Sequence, residues 1–200
     1  MKTLAGLALV ILATAFRTTL PLQSTAGADL PNVLTPTFRK DTLSIRKFGA
    51  VADGLTLNTA AITKAIEQCN RAGGGVVLIP RGLWLTGPIT LKSHVNLHLA
   101  EGALLQFTDQ RSAYPLVNTT WEGEEAVRNQ APISGTDLDN IAITGKGILD
   151  GSGDAWRMVK RSKLTEDQWK KLVASGGVVN EKKEMWYPSE QSFKGATLSA

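Results

Sequence analysis

Two aspartates, Asp150 and Asp154, have the residue type and the close spacing that acid–base chemistry needs. Two carboxyl groups on either side of a glycosidic bond can hydrolyse it, one as the acid and the other as the base or nucleophile. Each aspartate, however, adjoins a glycine, as Asp150-Gly151 and Gly153-Asp154. This pairing is typical of tight turns in which the carboxylate binds local backbone N–H groups. We therefore favour a turn-forming role for both and assign no catalytic residue.

The histidines and the cysteine do not form a pattern for metal binding or nucleophilic catalysis. His94 and His98 fall in a predicted strand, where four residues span ~13 Å, which is too far for two ligands of one ion. Cys69 is the single cysteine, so no intrachain disulfide can form. No histidine lies near Cys69 in the sequence to activate it, and we expect it to be a core residue. The sequence predicts no metal and no cofactor.

Most of the large aromatic side chains lie in two stretches, residues 108–138 and 155–195. Exposed aromatic rings can pack against the C–H faces of sugar rings, but they can also pack these stretches against the rest of the protein. For Trp169 we favour packing, because it lies on the apolar stripe of a predicted helix. For Trp121 and Trp186 both interpretations stay open. The candidate substrate-binding residues are Trp121, Glu122 and Trp186.

The elements that must position these residues begin with a helix. Apolar residues between 58 and 72 recur with helical spacing, and three glycines, residues 73–75, follow them. Asp53-Gly54, ahead of this segment, indicates a turn. The pattern predicts an amphipathic helix with one buried face.

Short apolar runs separated by tight corners follow this helix. The runs cover residues 76–79, 83–86, 89–91, 95–99 and 103–107. A repeat of about twenty residues aligns Val77 with Leu97, Leu83 with Ala103 and Leu85 with Leu105. A looser third copy covers residues 141–144 and 148–150. This period is typical of a solenoid in which like residues stack in register.

We predict an all-β fold, a right-handed parallel β-helix of the pectin-lyase-like type, incomplete as a solenoid and with the helix at 58–72 capping its first coil. A small β-sandwich is the alternative, because its strand spacing overlaps with half a coil. Two excursions, at 108–138 and 155–195, interrupt the coils, and such excursions often wall a binding groove. The second contains a helix, with a capping box at residues 165–168 and glycines 176 and 177 at its end.

The first 28 residues have the pattern of a cleaved signal peptide, namely Lys2, an apolar run of residues 4–16, and small residues at two possible cleavage sites. Cleavage could follow residue 15 instead of residue 28. Removing residues 1–28 takes away Lys2 and Arg17, and the net charge falls from +4 to +2. We expect a secreted or periplasmic protein with residues 29–200 as its β-helix part, no membrane anchor and no nucleic-acid partner.

These motifs occur in the order seen in a known family. They are Phe48-Gly49-Ala50-x-x-Asp53-Gly54, Asn58-Thr59, Gly73-Gly74-Gly75, Pro80-x-Gly82, Thr86-Gly87, Leu91-Lys92-Ser93-His94-Val95-x-Leu97 and Gly145-x-Gly147-Ile148-Leu149-Asp150-Gly151-x-Gly153-x-x-Trp156. Residues 45–156 resemble the N-terminal portion of glycoside hydrolase family 28, the polygalacturonases and related pectin-degrading enzymes. The first motifs also occur in other β-helix proteins, such as phage tailspikes.

The resemblance implies hydrolysis of α-1,4-galacturonosyl linkages in pectin, with inversion, in a groove lined by basic residues. The family's catalytic signatures, Asn-Thr-Asp, Asp-Asp, Gly-His-Gly and Arg-Ile-Lys, do not occur in the 200 residues. In the family they follow the region matched here. We therefore expect a fragment without its catalytic coils, inactive by itself. The alternatives are a β-helix carbohydrate-binding or tailspike-like protein without hydrolase chemistry, and a complete but non-catalytic short protein.

Overall fold

The computed structural model describes residues 34–198, which contain short strands, several of them joined by tight corners, and three α-helices. The predicted signal peptide, residues 1–28, lies outside the described residues. The strands are β1 (Thr42–Ser44), β2 (Asp53–Leu57), β3 (Gly75–Ile79), β4 (Gly82–Thr86), β5 (Ile89–Thr90), β6 (Val95–Leu99), β7 (Ala103–Phe107), β8 (Leu116–Trp121), β9 (Glu124–Asn129), β10 (Ile133–Ser134), β11 (Ala142–Gly145), β12 (Ile148–Asp150), β13 (Val159–Lys160), β14 (Val178–Val179) and β15 (Met185–Tyr187). The helices are α1 (Thr59–Arg71), α2 (Glu166–Ala174) and α3 (Glu190–Thr197).

Successive coils stack in parallel. One sheet has the strand order β1-β3-β6-β11, a second has the order β12-β7-β4-β2, and a short third sheet pairs β10 with β5. All pairings within these three sheets are parallel. The chain therefore winds as a parallel β-helix, and the predicted fold class is confirmed.

The first sheet keeps the predicted twenty-residue repeat, but the second sheet does not. Val77 pairs with Leu97, as expected. In the second sheet Trp84, and not Leu85, pairs with Leu105. The predicted stacking of Leu83 on Ala103 and of Leu85 on Leu105 is therefore wrong by one residue.

The cause of this shift is the length of the corner between the two sheets. Two residues, 80 and 81, separate β3 from β4, whereas three residues, 100–102, separate β6 from β7. A one-residue slip exchanges the two faces of a strand. The side chain of Trp84 is accordingly 0% exposed in the core, whereas Leu83 is 39% exposed on the outside.

Helix α1 contributes the predicted apolar stripe to the core at the start of the solenoid. Its buried residues are Ala61, Ile62, Ala65, Ile66 and Cys69. Burial raises the pKa of the Cys69 thiol, with a smaller contribution from Asp41. Cys69 is a core residue, as the sequence predicts, and its environment opposes the reactive thiolate.

Asn58, just before α1, ties the helix to the first strands. Its side-chain Oδ1 accepts a hydrogen bond from Val51 N at 2.7 Å. Its Nδ2 donates to three backbone carbonyls, those of Val51, Thr56 and Leu85. Asn58 is buried, and these bonds supply the partners that a buried amide requires.

Asp53 and Gly54 do not form a free turn, because they open strand β2 beside β4. The carboxylate of Asp53 nevertheless makes turn-type bonds and accepts from Leu55 N at 2.8 Å and from Thr56 N at 2.7 Å. The Thr56 hydroxyl also donates a hydrogen bond to this carboxylate. Together these bonds lower the pKa of Asp53 to about 2, and the bond from the Thr56 hydroxyl contributes most. Asp53 therefore belongs to a strand, while its carboxylate makes the backbone hydrogen bonds that are typical of a turn.

Two groups of elements lie outside the coils. Strands β8 and β9 form an antiparallel hairpin after β7, and the chain returns to the coil at β10, which pairs with β5. After β12, strands β13, β14 and β15 form a small antiparallel sheet with α2 and α3 nearby in sequence. The predicted capping box, Thr165 with Gln168, begins α2, and Trp169 is buried.

Tyr114 anchors the segment that leads into the hairpin. Its hydroxyl donates to Thr108 O at 2.8 Å, and its ring meets Trp156 edge to face at 4.8 Å. Burial, helped by Asp109, raises the pKa of Tyr114 to about 12. Tyr114 therefore stays neutral and keeps the donor that fixes this segment.

The solenoid is open at β11 and β12. Ile143 and Leu149 pair with Leu97 and Leu105, which are 0% exposed, yet Ile143 and Leu149 are 43% and 40% exposed. These positions continue the interior rows of the coils, and no further strand among residues 34–198 pairs with β11 or β12 on that side. Separately, no helix among the described residues is long and apolar enough to cross a membrane.

Candidate functional site

A groove of about 1170 Å³ lies between the β8–β9 hairpin and the coil strands β5 and β10. The hairpin forms one wall, and the corner after β5 and the segment after β10 form the other. The residues that line it are Thr90, Leu91, Lys92, Val117, Asn118, Thr119, Thr120, Trp121, Arg128, Asn129, Gln130, Ala131, Ile133, Ser134, Gly135, Thr136, Leu138, Ile141 and Gly195. One wall of the groove therefore belongs to the coils, and the other belongs to the hairpin, which lies outside them.

The hairpin register places the groove's main side chains. Val117 pairs with Arg128, and Trp121 pairs with Glu124 at the far end. Because side chains alternate along a strand, Arg128 and Trp121 lie on the same face of the hairpin. Glu122 and Gly123 form the two-residue loop with φ of 52° and 90°, the left-handed backbone that such tight hairpins need.

The groove is basic. Of its described lining residues Lys92 and Arg128 are cationic, and none is acidic. Neither cation forms an ion pair within 4 Å with a carboxylate of residues 34–198. Both charges therefore remain available to an anionic ligand.

Arg128 is held in place although it has no ion-pair partner. Its Nη1 donates to Val127 O at 2.9 Å and to Leu198 O at 3.2 Å. Its guanidinium carbon lies 5.4 Å from the centre of the Trp121 ring, within cation–π range. Arg128 was not selected as a site residue from the sequence. The pattern that could have identified it is strand alternation, which places Arg128 on the same face of the hairpin as Trp121.

Asn129 adds an unsatisfied polar atom to the wall. Its Oδ1 is buried without a hydrogen-bond partner among the described residues, and its Nδ2 makes only a long bond of 3.5 Å to Gln191 O. Gly195 of α3 lies against this amide, and a side chain there would collide with it. Helix α3 thus supports the hairpin from the side of Asn129.

The sequence-based candidates are not brought together. Trp121 lines the groove and is 56% exposed. Glu122 is exposed at the hairpin tip and is absent from the described lining. Trp186 lies in β15, and its indole Nε1 donates to Gly176 O at 2.7 Å, which joins two parts of the second excursion.

Asp150 and Asp154 line a smaller cleft of about 450 Å³ beside β7 and β12. Asp150 Oδ1 accepts from Ser152 N at 2.9 Å, which confirms its turn role. The carboxylate of Asp154 instead forms an exposed ion pair with Arg157 at 3.1 Å, so the predicted backbone cap is wrong for this residue.

The two histidines occupy separate positions. The prediction of a strand is confirmed for His98 and wrong for His94, which has a φ of 62° at the corner before β6. His98 Nδ1 lies 2.8 Å from Thr144 Oγ1 across the sheet. Residues 34–198 contain no group of three or more His, Cys, Asp or Glu side chains placed to hold a metal ion.

Among known proteins, several polygalacturonases are similar to part of the chain. The chain is 37% identical over 134 residues, 63% of its length, to an exo-poly-alpha-D-galacturonosidase of Dickeya chrysanthemi, of which it covers 21%. The structure of a hyperthermoactive exopolygalacturonase from Thermotoga maritima matches with a TM-score of 0.56 and 37% identity, over 60% of this chain and 27% of that one. A family 28 exopolygalacturonase of Yersinia enterocolitica matches with a TM-score of 0.52 and 28% identity, over 74% of this chain and 25% of that one.

No family model matches the chain. The chain spans about a quarter of the length of the relatives described above. Over about 60% of its length, the chain is therefore a partial region similar to the polygalacturonases of glycoside hydrolase family 28.

Proposed function

We propose that the chain is part of a polygalacturonase-like glycoside hydrolase and binds galacturonan in the groove between the β8–β9 hairpin and the coil. The observation that carries this proposal is the groove's charge, because Lys92 and Arg128 line it without an acidic residue among the described lining. Galacturonate carries one carboxylate per sugar. The names of the relatives support this substrate class.

Each part of the groove has a role in this proposal. A guanidinium and an ammonium group attract the carboxylates, and such charge-assisted hydrogen bonds are the stronger kind. The exposed part of the Trp121 ring offers an apolar surface to a sugar C–H face. Glu122 stands at the groove's rim and Trp186 outside it, so we propose no direct contact for either.

We further propose that this chain binds the polymer without cutting it. Hydrolysis needs an acid and a base on either side of the bond. Asp150 is occupied in its turn and Asp154 in an ion pair, and the four family signatures do not occur in the sequence. By the resemblance, the inverting hydrolysis of α-1,4-galacturonosyl linkages would require coils that follow this region. The signal peptide at 1–28, the β-helix part at 29–200 and export to the periplasm or outside the cell belong to the same proposal.

Isothermal titration with polygalacturonate and with dextran, a neutral polysaccharide, tests the binding. We expect binding to polygalacturonate alone, weakened by salt because the attraction is electrostatic. Replacing Arg128 by Ala should weaken it by about 10- to 100-fold, the range of a hydrogen bond to a charged group. Lys92→Ala should have a smaller effect, because an exposed ammonium group is mobile. Lys170→Ala, on α2 outside the groove, is the matched control.

Two outcomes would contradict the proposal. Equal affinity for dextran and polygalacturonate, or no affinity for either, would rule out the basic groove as a galacturonan site. Release of reducing ends from polygalacturonate by this chain would overturn the non-catalytic part. Circular dichroism of each variant shows whether lost binding reflects lost structure.

A further inference from the structure

The guanidinium of Arg128 covers one face of the Trp121 ring. The guanidinium lies 5.4 Å from the ring centre, although the two residues stand four rows apart on the hairpin. We infer that Trp121 is a positioning residue for Arg128, and that the pair sets the groove's preference for a free sugar carboxylate over its methyl ester. This inference rests on the proposed function, since it concerns the same groove.

The hydrogen bonds of Arg128 indicate which edge of its guanidinium meets the ligand. Nη1 is occupied by the carbonyls of Val127 and Leu198. Nε and Nη2 make no hydrogen bond to another described residue, so this edge presents two parallel N–H groups. Such a fork matches the two oxygens of a carboxylate in planar, bidentate geometry.

Local carboxylates do not satisfy this fork. Glu124 is the register partner of Trp121 and therefore on the same face of the hairpin, yet no ion pair within 4 Å joins it to Arg128 within the described part of the chain. The indole of Trp121 and the two carbonyls bonded to Nη1 fix the guanidinium in place, whereas the edge with Nε and Nη2 stays free. A prearranged donor loses less rotamer freedom on binding than a mobile one.

A methyl ester would bind this fork poorly. Esterification removes the negative charge and leaves one good acceptor, the carbonyl oxygen, so the second N–H of the fork would lose its partner. Lys92 presents an exposed ammonium without such a fixed geometry and attracts anions with less regard to shape. Discrimination between acid and ester therefore depends on Arg128, and the orientation of Arg128 depends on Trp121.

The test measures the affinities of the full chain for polygalacturonate and for fully methyl-esterified homogalacturonan, and takes their ratio. We expect the wild type to prefer the free acid by about 10-fold or more, the size of a charge-assisted bond. Trp121→Ala should lower this ratio by about 2- to 5-fold, the size of an exposed cation–π contact. Trp121→Phe should restore most of it, and Arg128→Lys should lose it while keeping the charge. Lys170→Ala, on α2 outside the groove, is again the control.

The outcomes separate this inference from the proposed function. If the wild type binds neither polymer, both fail. If it prefers the free acid and Trp121→Ala weakens both polymers by the same factor, Trp121 acts only as a sugar platform, and the inference is wrong while the proposed function stands. A fall in the ratio that Phe restores supports the inference, because a purely structural loss would change both affinities together.

Discussion

Substitution of Trp84 by alanine tests the register of the second sheet, on which the arrangement of the core depends. Trp84 is 0% exposed, and its Nε1 donates to Pro80 O at 2.7 Å. The guanidinium carbon of Arg46 lies 5.1 Å from its ring. The substitution would remove the largest fully buried side chain among the described residues, together with its hydrogen bond.

The expected loss follows from these contacts. Truncation of a buried aromatic residue to alanine costs about 3–5 kcal/mol, through lost transfer free energy and the cavity that remains. The adjacent Leu83 is 39% exposed on the outer face, and its replacement by alanine should cost about 1 kcal/mol, since only part of its surface leaves water. For a chain of this size each kcal/mol lowers Tm by about 2–4 °C. We therefore expect a loss of roughly 10 °C for Trp84→Ala and about 3 °C for Leu83→Ala.

Thermal and urea unfolding followed by far-ultraviolet circular dichroism provide the measurement, because fluorescence would change with the loss of a tryptophan. Trp84→Phe separates the ring from its hydrogen bond and should cost less than the alanine variant. If Leu83→Ala destabilised the protein as much as Trp84→Ala, Leu83 would face the core. That result would support the simple twenty-residue repeat and refute the register described here.

Two further predictions concern a corner and a carboxylate. Gly145 has a φ of 103° and lies against the carbonyl of Leu99, so Gly145→Ala should cost at least about 2 kcal/mol in urea unfolding, whereas Gly151→Ala, with open space around it, should cost little. Equal losses would contradict this account. The folded-state pKa of Asp53, about 2, is below its ordinary 3.8, so its stabilisation is present above pH 4 and is lost as the pH falls towards 2. The Tm of Asp53→Asn should therefore lie below that of the wild type at pH 7 and approach it near pH 2, and a constant difference would refute the assignment.

The sequence was sufficient for elements whose signals are local. The stripe from Ile62 to Cys69 predicts α1, and the capping box of Thr165 predicts the start of α2, because each pattern lies within a few turns of helix. The short strands were recognised from apolar runs between turn residues. Strand β1 was not, because Leu43 is its single apolar residue and the segment becomes a strand only beside β3.

The second sheet shows why a repeat does not determine a register. A single extra residue in the corner at 100–102 leaves the apolar pattern of β7 intact but shifts its pairing. Trp84 takes the interior position, and strand alternation therefore turns its neighbours Leu83 and Leu85 outwards.

The candidate site was only partly predictable for a different reason. Trp121 could be proposed from its residue type, but Arg128 acquires its role through the hairpin register and Lys92 through the return of β10 to β5. Arg128 and Trp121 belong to one hairpin, so their shared face follows from strand alternation only once that hairpin and its register are known. Lys92 comes to the groove through a pairing of strands distant in sequence, which no local pattern encodes. Trp186, a similar candidate by residue type, lies in a separate sheet, because its strand β15 pairs with β13 and β14.

The arrangement separates stability from recognition. The core residues belong mostly to the coils and α1, whereas Arg128 and Trp121 stand on a hairpin that contributes Ala126 as its buried apolar residue. Substitutions at Trp84 or Gly145 should therefore change unfolding, whereas substitutions at Arg128 should change binding and leave Tm nearly constant. This separation follows from placing the charged groove on an element outside the coil, where loss of a polar side chain opens no cavity in the core.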